Sequence, residues 1–435
     1  MAVKGGLLPP PSSSSPPSLF IFNLRPRGAL GGFHGGSGGR GGWSPPSPPV
    51  GSAADHDISA CYLNDWLQIS ITPRLENLIL ELPSNRKEQY NFPCSLLFGG
   101  NGNLIQHLHL TNCGFRPTVG AGCLRSLAKL HLDHVGITDE ELVRLLSSSL
   151  ALMELELSCC SEIICLKIPC MLEQLSCLTV SDCSMLQMIE SKAPKLSTFN
   201  FTGGNLVQLS LESLQVKNLD MDCEETNFLS NSITRLPYMM PNLETLTLFS
   251  YDEIVNTPTV ATKFRHLEHL EIYLDAGAFP GYDFWSLGSF LDASPVLETF
   301  ILSVSHDMEF EPVFGNASNM RQMTEHKYEN LKDVSIFGFH SAKSMVELTC
   351  HILENATSLE SITLDTVYDQ EDEESHGRCS VAPARKTKCC YLCNEMILEA
   401  KMGLLAIEKY IAAKVPSTVK LDVRGPCSLC HTLEP

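Results

Sequence analysis

The sequence predicts an α/β solenoid: a curved parallel sheet on a concave face, helices and irregular segments on a convex face, and a C-terminal helix–strand cap. Three observations predict it. One strand-like segment, LxxLxLxx, returns twelve times between Leu75 and Val367. Its copies are mostly spaced by roughly 20 to 30 residues, the length of one turn in a repeat architecture. The intervals include stretches with helical rather than strand periodicity.

Taken in order, the chain opens on a tract of Pro, Ser and Gly, as in "LPPPSSSSPPS" and "GGFHGGSGGRGG". Such a composition cannot bury enough apolar surface to offset chain entropy, so residues 1–56 are expected to be disordered. The tract holds Lys4, Arg25, Arg27 and Arg40 and no acid before Asp55, so the remainder is more acidic than the net charge of −19 for the whole chain. A body of that sign repels phosphate, which argues against nucleic acid and for a neutral or basic protein surface as partner. The formal GxSxG match in "GGSGG" lacks the strand and helix that a nucleophile elbow requires. An acid-poor, Ser-rich start also suits an organelle transit peptide, a minority reading beside a place in the cytoplasm or nucleus. No apolar run approaches the ~18 residues of a membrane span, so no membrane partner is expected. Without an export signal, the 18 cysteines are expected as thiols in a reducing compartment.

The solenoid is placed at residues 57–367. Its segments are "LENLILEL", "IQHLHLTNC", "LAKLHLDHV", "LMELELSCC", "LSCLTVSDC", "LSTFNFTGG", "VKNLDMDCE", "LETLTLFSY", "LEHLEIYLD", "LETFILSVS", "LKDVSIFGF" and "LESITLDTV", with an extra unit suggested by "LVQLSLESL". This is the pattern of a leucine-rich repeat, in which the inner LxL is a short strand with one buried face. "ITDEELVRLL" reads as a helix capped by Thr138 or Asp139, with Leu142, Leu145 and Leu146 turned to the sheet. Cys113, Cys160 and Cys183 stand where the repeat bends off its strand, a tight site that suits a small buried thiol.

Residues 368–388, a run of acids followed by bases, read as a charged flexible loop. Residues 389–435 then read as the cap. "NEMILEAKMGLLAIEKYIAAKV" is an amphipathic helix with Asn394 as N-cap and with Ile397, Leu404 and Ile411 on one stripe beside Leu398 and Leu405. Pro416 stops it, and "TVKLDV" is a last strand that covers the end of the array.

The closing "GPCSLCH" matches the CxxCH signature of c-type haem attachment, but neither an export signal nor an enclosing haem fold accompanies it. Zinc is the better metal reading: Cys390, Cys393, Cys427 and Cys430 form two CxxC knuckles able to close a tetrahedral thiolate site. Against it, Asn394 to Pro426 puts a whole helix and strand between the knuckles, longer than the usual ~15–20 residues. Packing thiols of a cap are therefore the expectation, with no cofactor. No phosphate loop, no HExxH and no dinucleotide fingerprint occurs. Asp220 and Asp222 alternate on one strand face, where exposure is expected to leave their acidity ordinary. The chain is not expected to be an enzyme.

Beyond the repeat pattern, "NFPCSLLFG", "LRSLAKLHLDHVGITDEELVRLLSSSLALMELELSCCSEIICLKIP", "MPNLETLTLFSYDEIVNTP", "FLDASPVLETFILSVSHD", "ENATSLESITLDT" and "KVPSTVKLDVRGPCSLCH" resemble the leucine-rich-repeat region of plant F-box proteins, in particular the large grass expansion. The resemblance spans about Asp65 to His431 and reaches into loops that a generic repeat does not dictate. It implies the target-recognising part of a Skp-cullin-F-box ubiquitin ligase subunit, and it implies that the terminal CxxCH-like peptide belongs to the capping segment. The LPxDxLxxI-like start of an F-box is not found; the Pro/Gly/Ser tract stands in its place. Two expectations follow: a stand-alone protein-binding scaffold, or a ligase substrate receptor whose F-box is missing from this chain.

Solenoids bind through the concave sheet, so the outward residues flanking each LxL are the candidate surface. They are His107, His109, Lys129, His131, Glu154, Glu156, Asp220, Asp222, Phe249, His269, Glu271, Tyr273, Asp333 and Phe337.

Overall fold

The computed structural model describes residues 19–23, 60–84, 89–98, 104–117, 124–204, 207–211, 215–251, 253–254, 256–259, 261–275, 282–305, 311–315, 320–321, 326–367 and 392–427. The charged segment 368–388 and most of the opening tract lie outside them. By internal contacts the chain groups into two compact units, Met1–Gly203 with Val207–Gln215, and Gly204–Leu206 with Val216–Pro435.

In the first unit, Leu19–Asn23, Asn77–Glu81, His107–Thr111, Lys129–Asp133, Glu154–Ser158, Cys177–Ser181 and Thr198–Gly203 each pair in parallel with the next. In the second, Asn218–Cys223, Thr245–Ser250, His269–Leu274, Thr299–Val304, Asp333–Phe337, Ser361–Asp365 and Lys420–Arg424 do the same. Parallel strands in register, most of them one repeat apart along the chain, make an α/β leucine-rich-repeat solenoid. The first strand corrects one expectation. Leu19–Asn23 falls inside the segment assigned to disorder, yet its sequence LFIFN is a short apolar run with strand propensity amid Pro and Ser.

The repeat pattern becomes structure through the period of two. In each rung the LxL leucines point inward, giving alternation of buried and partly exposed residues, as in His107–Thr111 and Glu154–Ser158. Unbroken register stacks Leu78, Leu108, Leu130, Leu155, Leu178 and Phe199 into one buried column. Leu80, Leu110, Leu132, Leu157, Val180 and Phe201 make a second. Each such side chain contributes about 1.5–3 kcal/mol by leaving water, and a slip of one residue would turn all of them outward.

Five rungs share one exit geometry. Asn112, His134, Cys159 and Asp182 have φ of 56°, 50°, 51° and 52°, and Gly338 has 69°. This left-handed residue reverses the chain, and the residue after it is Cys113, Val135, Cys160, Cys183 or Phe339. Its N–H still reaches the next rung: Asn112 to Asp133 O at 2.9 Å, His134 to Ser158 O at 2.9 Å, Cys159 to Ser181 O at 2.8 Å and Asp182 to Thr202 O at 2.8 Å. Cys113 and Cys160 are buried and Cys183 is half-buried. The Cys160 thiol faces the carbonyls of Leu132 and Ser158, both at 3.5 Å, as the scaffold reading expects. Burial pushes the Cys113 thiol up to about 12, the chemistry of an inert packing group.

Between rungs the two units differ. In the first, helix Asp139–Ser148 starts at Thr138 with a complete capping box, the Glu141 carboxylate accepting from Thr138 N at 2.9 Å, and it buries Leu142, Leu145 and Leu146. Further on, a second parallel sheet replaces helices: Cys165–Ile168, Met188–Ser191 and Gln208–Leu211. "LVQLSLESL" therefore supplies a strand to this sheet and not a rung of the main ladder. In the second unit the connections carry the helices Phe228–Met239, Gly288–Ala293 and Lys343–Asn355.

The C-terminal helix spans Asn394–Ala406 and continues as a wider turn over Ile407–Ile411. Its N-cap is Cys393, not Asn394, and the buried stripe also differs from the expected one. Ile397, Ala400, Gly403, Ala406, Ile407 and Ile411 are buried, while Leu398 is 54% and Leu405 46% exposed. The reason is close approach. A side-chain carbon on Gly403 would lie 2.7 Å from the Phe339 carbonyl oxygen, so the helix seats its small residues against the backbone. Lys420–Arg424 then pairs with Ser361–Asp365, as the sequence expects.

Candidate functional site

Every candidate residue lies on a ladder strand at a position that is not buried, because each flanks an inward LxL leucine. Register then decides which of them meet.

In the first unit, His107 pairs with Lys129 and Lys129 with Glu154 along one row; His109 pairs with His131 and His131 with Glu156 along the next. The second row is tightly organised. The His109 and His131 rings stack at 4.0 Å with an interplanar angle of 11°, and His131 Nδ1 lies 3.4 Å from the Glu156 carboxylate. Lys129 and Glu154 close an ion pair at 2.6 Å. Half-buried between other rings, His109 is pushed down to about 4, by loss of solvent first and by His131 and His107 next. His107 shifts the same way, through burial and then Lys129. Near neutral pH these two rings are therefore neutral.

The second unit presents a different chemistry. Asp222 pairs with Phe249 and Phe249 with Tyr273, along a row that continues through Ser303 to Phe337. Phe249 and Tyr273 stack face to face at 4.1 Å and 5°. The adjacent row runs Asp220, Thr247, Glu271, Ile301. Tyr273 donates its hydroxyl to Glu271 at 2.7 Å, tying the rows together. His269 and Asp333 stand at strand starts, separated by Thr299, and are exposed; they do not join the aromatic stack.

One expectation about this face is overturned. Asp220 is not an ordinary exposed carboxylate: burial, then Asp222 and Glu271, push it up to about 6. Sequence reasoning also passed over Thr247, which stands between Asp220 and Glu271, and Ile301, which follows Glu271 in the row. Their outward place was readable from the repeat, but selecting only charged and aromatic residues discarded them.

Of the four terminal cysteines, Cys393 and Cys427 are half-buried, and Cys390 and Cys430 lie outside the described residues. Among the described residues no helix is long and apolar enough to cross a membrane.

The leucine-rich-repeat domain model described as At1g61320/AtMIF1 matches residues 50–428. The chain belongs to the At1g61320/AtMIF1 leucine-rich-repeat family. Membership covers nearly all of the described residues, so in this At1g61320/AtMIF1 domain the helix Asn394–Ala406 and the strand Lys420–Arg424 are parts of the repeat domain itself. No curated protein matches the chain by sequence. Among solved structures, an internalin from Listeria monocytogenes is similar at 14% identity over 68% of each chain, with a TM-score of 0.30.

Proposed function

We propose that the protein is a binding scaffold, not a catalyst, and that the exposed strand face of its second unit receives a basic protein segment. The observation that carries this is the Phe249–Tyr273 stack set beside Asp220, Asp222 and Glu271. Two rigid rings supply contact area at little cost in side-chain entropy, and their faces attract a Lys or Arg head group. The carboxylates add the charge that the net −19 of the chain announces, steering a cationic partner toward the face. Aromatic side chains are also among the residue types enriched at protein interfaces.

A narrower reading follows from the resemblance of the loop segments to plant F-box proteins: the chain is the target-recognising part of a ubiquitin ligase subunit. Co-purification of the 435-residue chain with the ligase adaptor tests it. Capture of the adaptor supports the ligase role, and capture of a target without adaptor supports a stand-alone scaffold. The cysteine content supports a place in the cytoplasm or nucleus.

The scaffold reading itself is tested by replacing Phe249, Glu271 and Tyr273 with Ala together. We expect captured partner to fall at least tenfold with the melting temperature little changed, since none of the three is buried. Undiminished capture removes the face from consideration.

A further inference from the structure

We propose that the rung exits of the first unit form a binding site for a borderline transition-metal ion of the zinc class, with Asp133, His134 and Cys159 as ligands. One ligand atom from each of these three side chains lies within 4.8 Å of the others. A carboxylate oxygen, an imidazole nitrogen and a thiolate sulfur form the mixed set that zinc accepts. Hard cations such as magnesium or calcium prefer oxygen alone.

The cluster is a product of the repeat. His134 and Cys159 occupy the same left-handed exit position in consecutive rungs, at φ 50° and 51°, and the N–H of each bonds to the following rung. Stacking at one rung per strand spacing, about 4.8 Å, puts such side chains side by side. Asp133 is the last residue of its strand and lies beside His134, with Oδ1 2.7 Å from Nδ1. Tetrahedral zinc, with bonds of about 2.0–2.3 Å, needs ligand atoms roughly 3.3–3.7 Å apart. The carboxylate and ring must therefore part by well under 1 Å, which an imidazole 56% exposed and a carboxylate 30% exposed can do. Neither left-handed residue is glycine or the usual Asn or Asp, although Asn112 and Asp182 fill the equivalent positions in the flanking rungs. His tolerates this backbone geometry and Cys is uncommon in it, and the two are the nitrogen and sulfur ligands that zinc favours.

Binding forms the metal–sulfur, metal–nitrogen and metal–oxygen bonds and releases the thiol proton to solvent. The fourth position is left for water or a group from a partner. Affinity accordingly rises with pH.

The test uses the full chain with Cys390, Cys393, Cys427 and Cys430 replaced by Ser, so that the terminal thiols cannot supply the signal. Co2+ titration should give a thiolate-to-metal charge-transfer band with tetrahedral ligand-field bands, saturating at one equivalent, and Zn2+ should displace it. Cys159→Asn should abolish the band, and His134→Asn should weaken Zn2+ binding at least tenfold. Asn is the residue that Asn112 already carries at this backbone position, so both variants keep the fold. A folded chain that binds no Co2+, or a band that survives Cys159→Asn, overturns the proposal.

Discussion

Asp220 and His109 show how a residue on a strand face acquires chemistry from its neighbours. For Asp220, held at about 6 against an unfolded value of ~3.9, the folded chain keeps a proton that the unfolded chain has lost. Stability therefore falls as pH rises between those values, and the cost persists above 6. Allowing for solvent screening at a partly exposed site, Asp220→Asn should stabilise the protein by about 1 kcal/mol at pH 7 and by nothing below pH ~4. His109 runs the other way. Its folded value of about 4 lies below the ordinary ~6.5, so the unfolded chain takes up the proton first and stability is lost as pH falls through that window. His109→Gln should flatten the acid side of the stability profile by on the order of 1 kcal/mol. Thermal melts from pH 4 to 7 on both variants check the two opposite signs.

At the scale of the element, two devices hold segments in place. The Thr138–Glu141 capping box starts the helix Asp139–Ser148, so Thr138→Ala should cost about 1 kcal/mol by denaturant titration. The seat of the C-terminal helix depends on Gly403, and Gly403→Ala should cost about 1–3 kcal/mol because the Phe339 backbone cannot yield as a flexible side chain does. The first device was legible in "ITDEELVRLL", since a capping box is a local pattern. The second was not. Periodicity placed Leu398 and Leu405 inside because they are apolar, whereas the helix approaches so closely that Ala and Gly fit and Leu does not. The same limit applies to the side sheet Cys165–Ile168, Met188–Ser191 and Gln208–Leu211: "LVQLSLESL" carries the same LxxLxLxx framing as the rungs, and only tertiary register assigns its strand to the second sheet. It applies also to Leu19–Asn23, five residues in a tract whose average composition hides them.

Across the whole molecule, the ladders and the outward-facing rows were legible because a fixed repeat makes register a property of sequence. The acidity of Asp220, the His109–His131 stack and the junction of Asp133 and His134 with Cys159 were not, since each depends on which side chains stand across from each other. The strand Lys420–Arg424 covers the edge of Ser361–Asp365. Ending the chain at Pro416 should therefore leave unpaired backbone beside Ile362 and Leu364, and light scattering should show aggregation that the full chain lacks.

The proposed docking place is the strand face of the second unit, at the aromatic–acidic rows. A photo-crosslinking amino acid placed at Phe249, compared with the same group at Tyr238, which is 73% exposed on the helix Phe228–Met239, tests it most directly. Crosslinks from position 249 to a Lys- or Arg-rich segment of one protein, with none from 238, are the expected result. The same protein captured from 238 and not from 249 would place the docking surface on the helices instead.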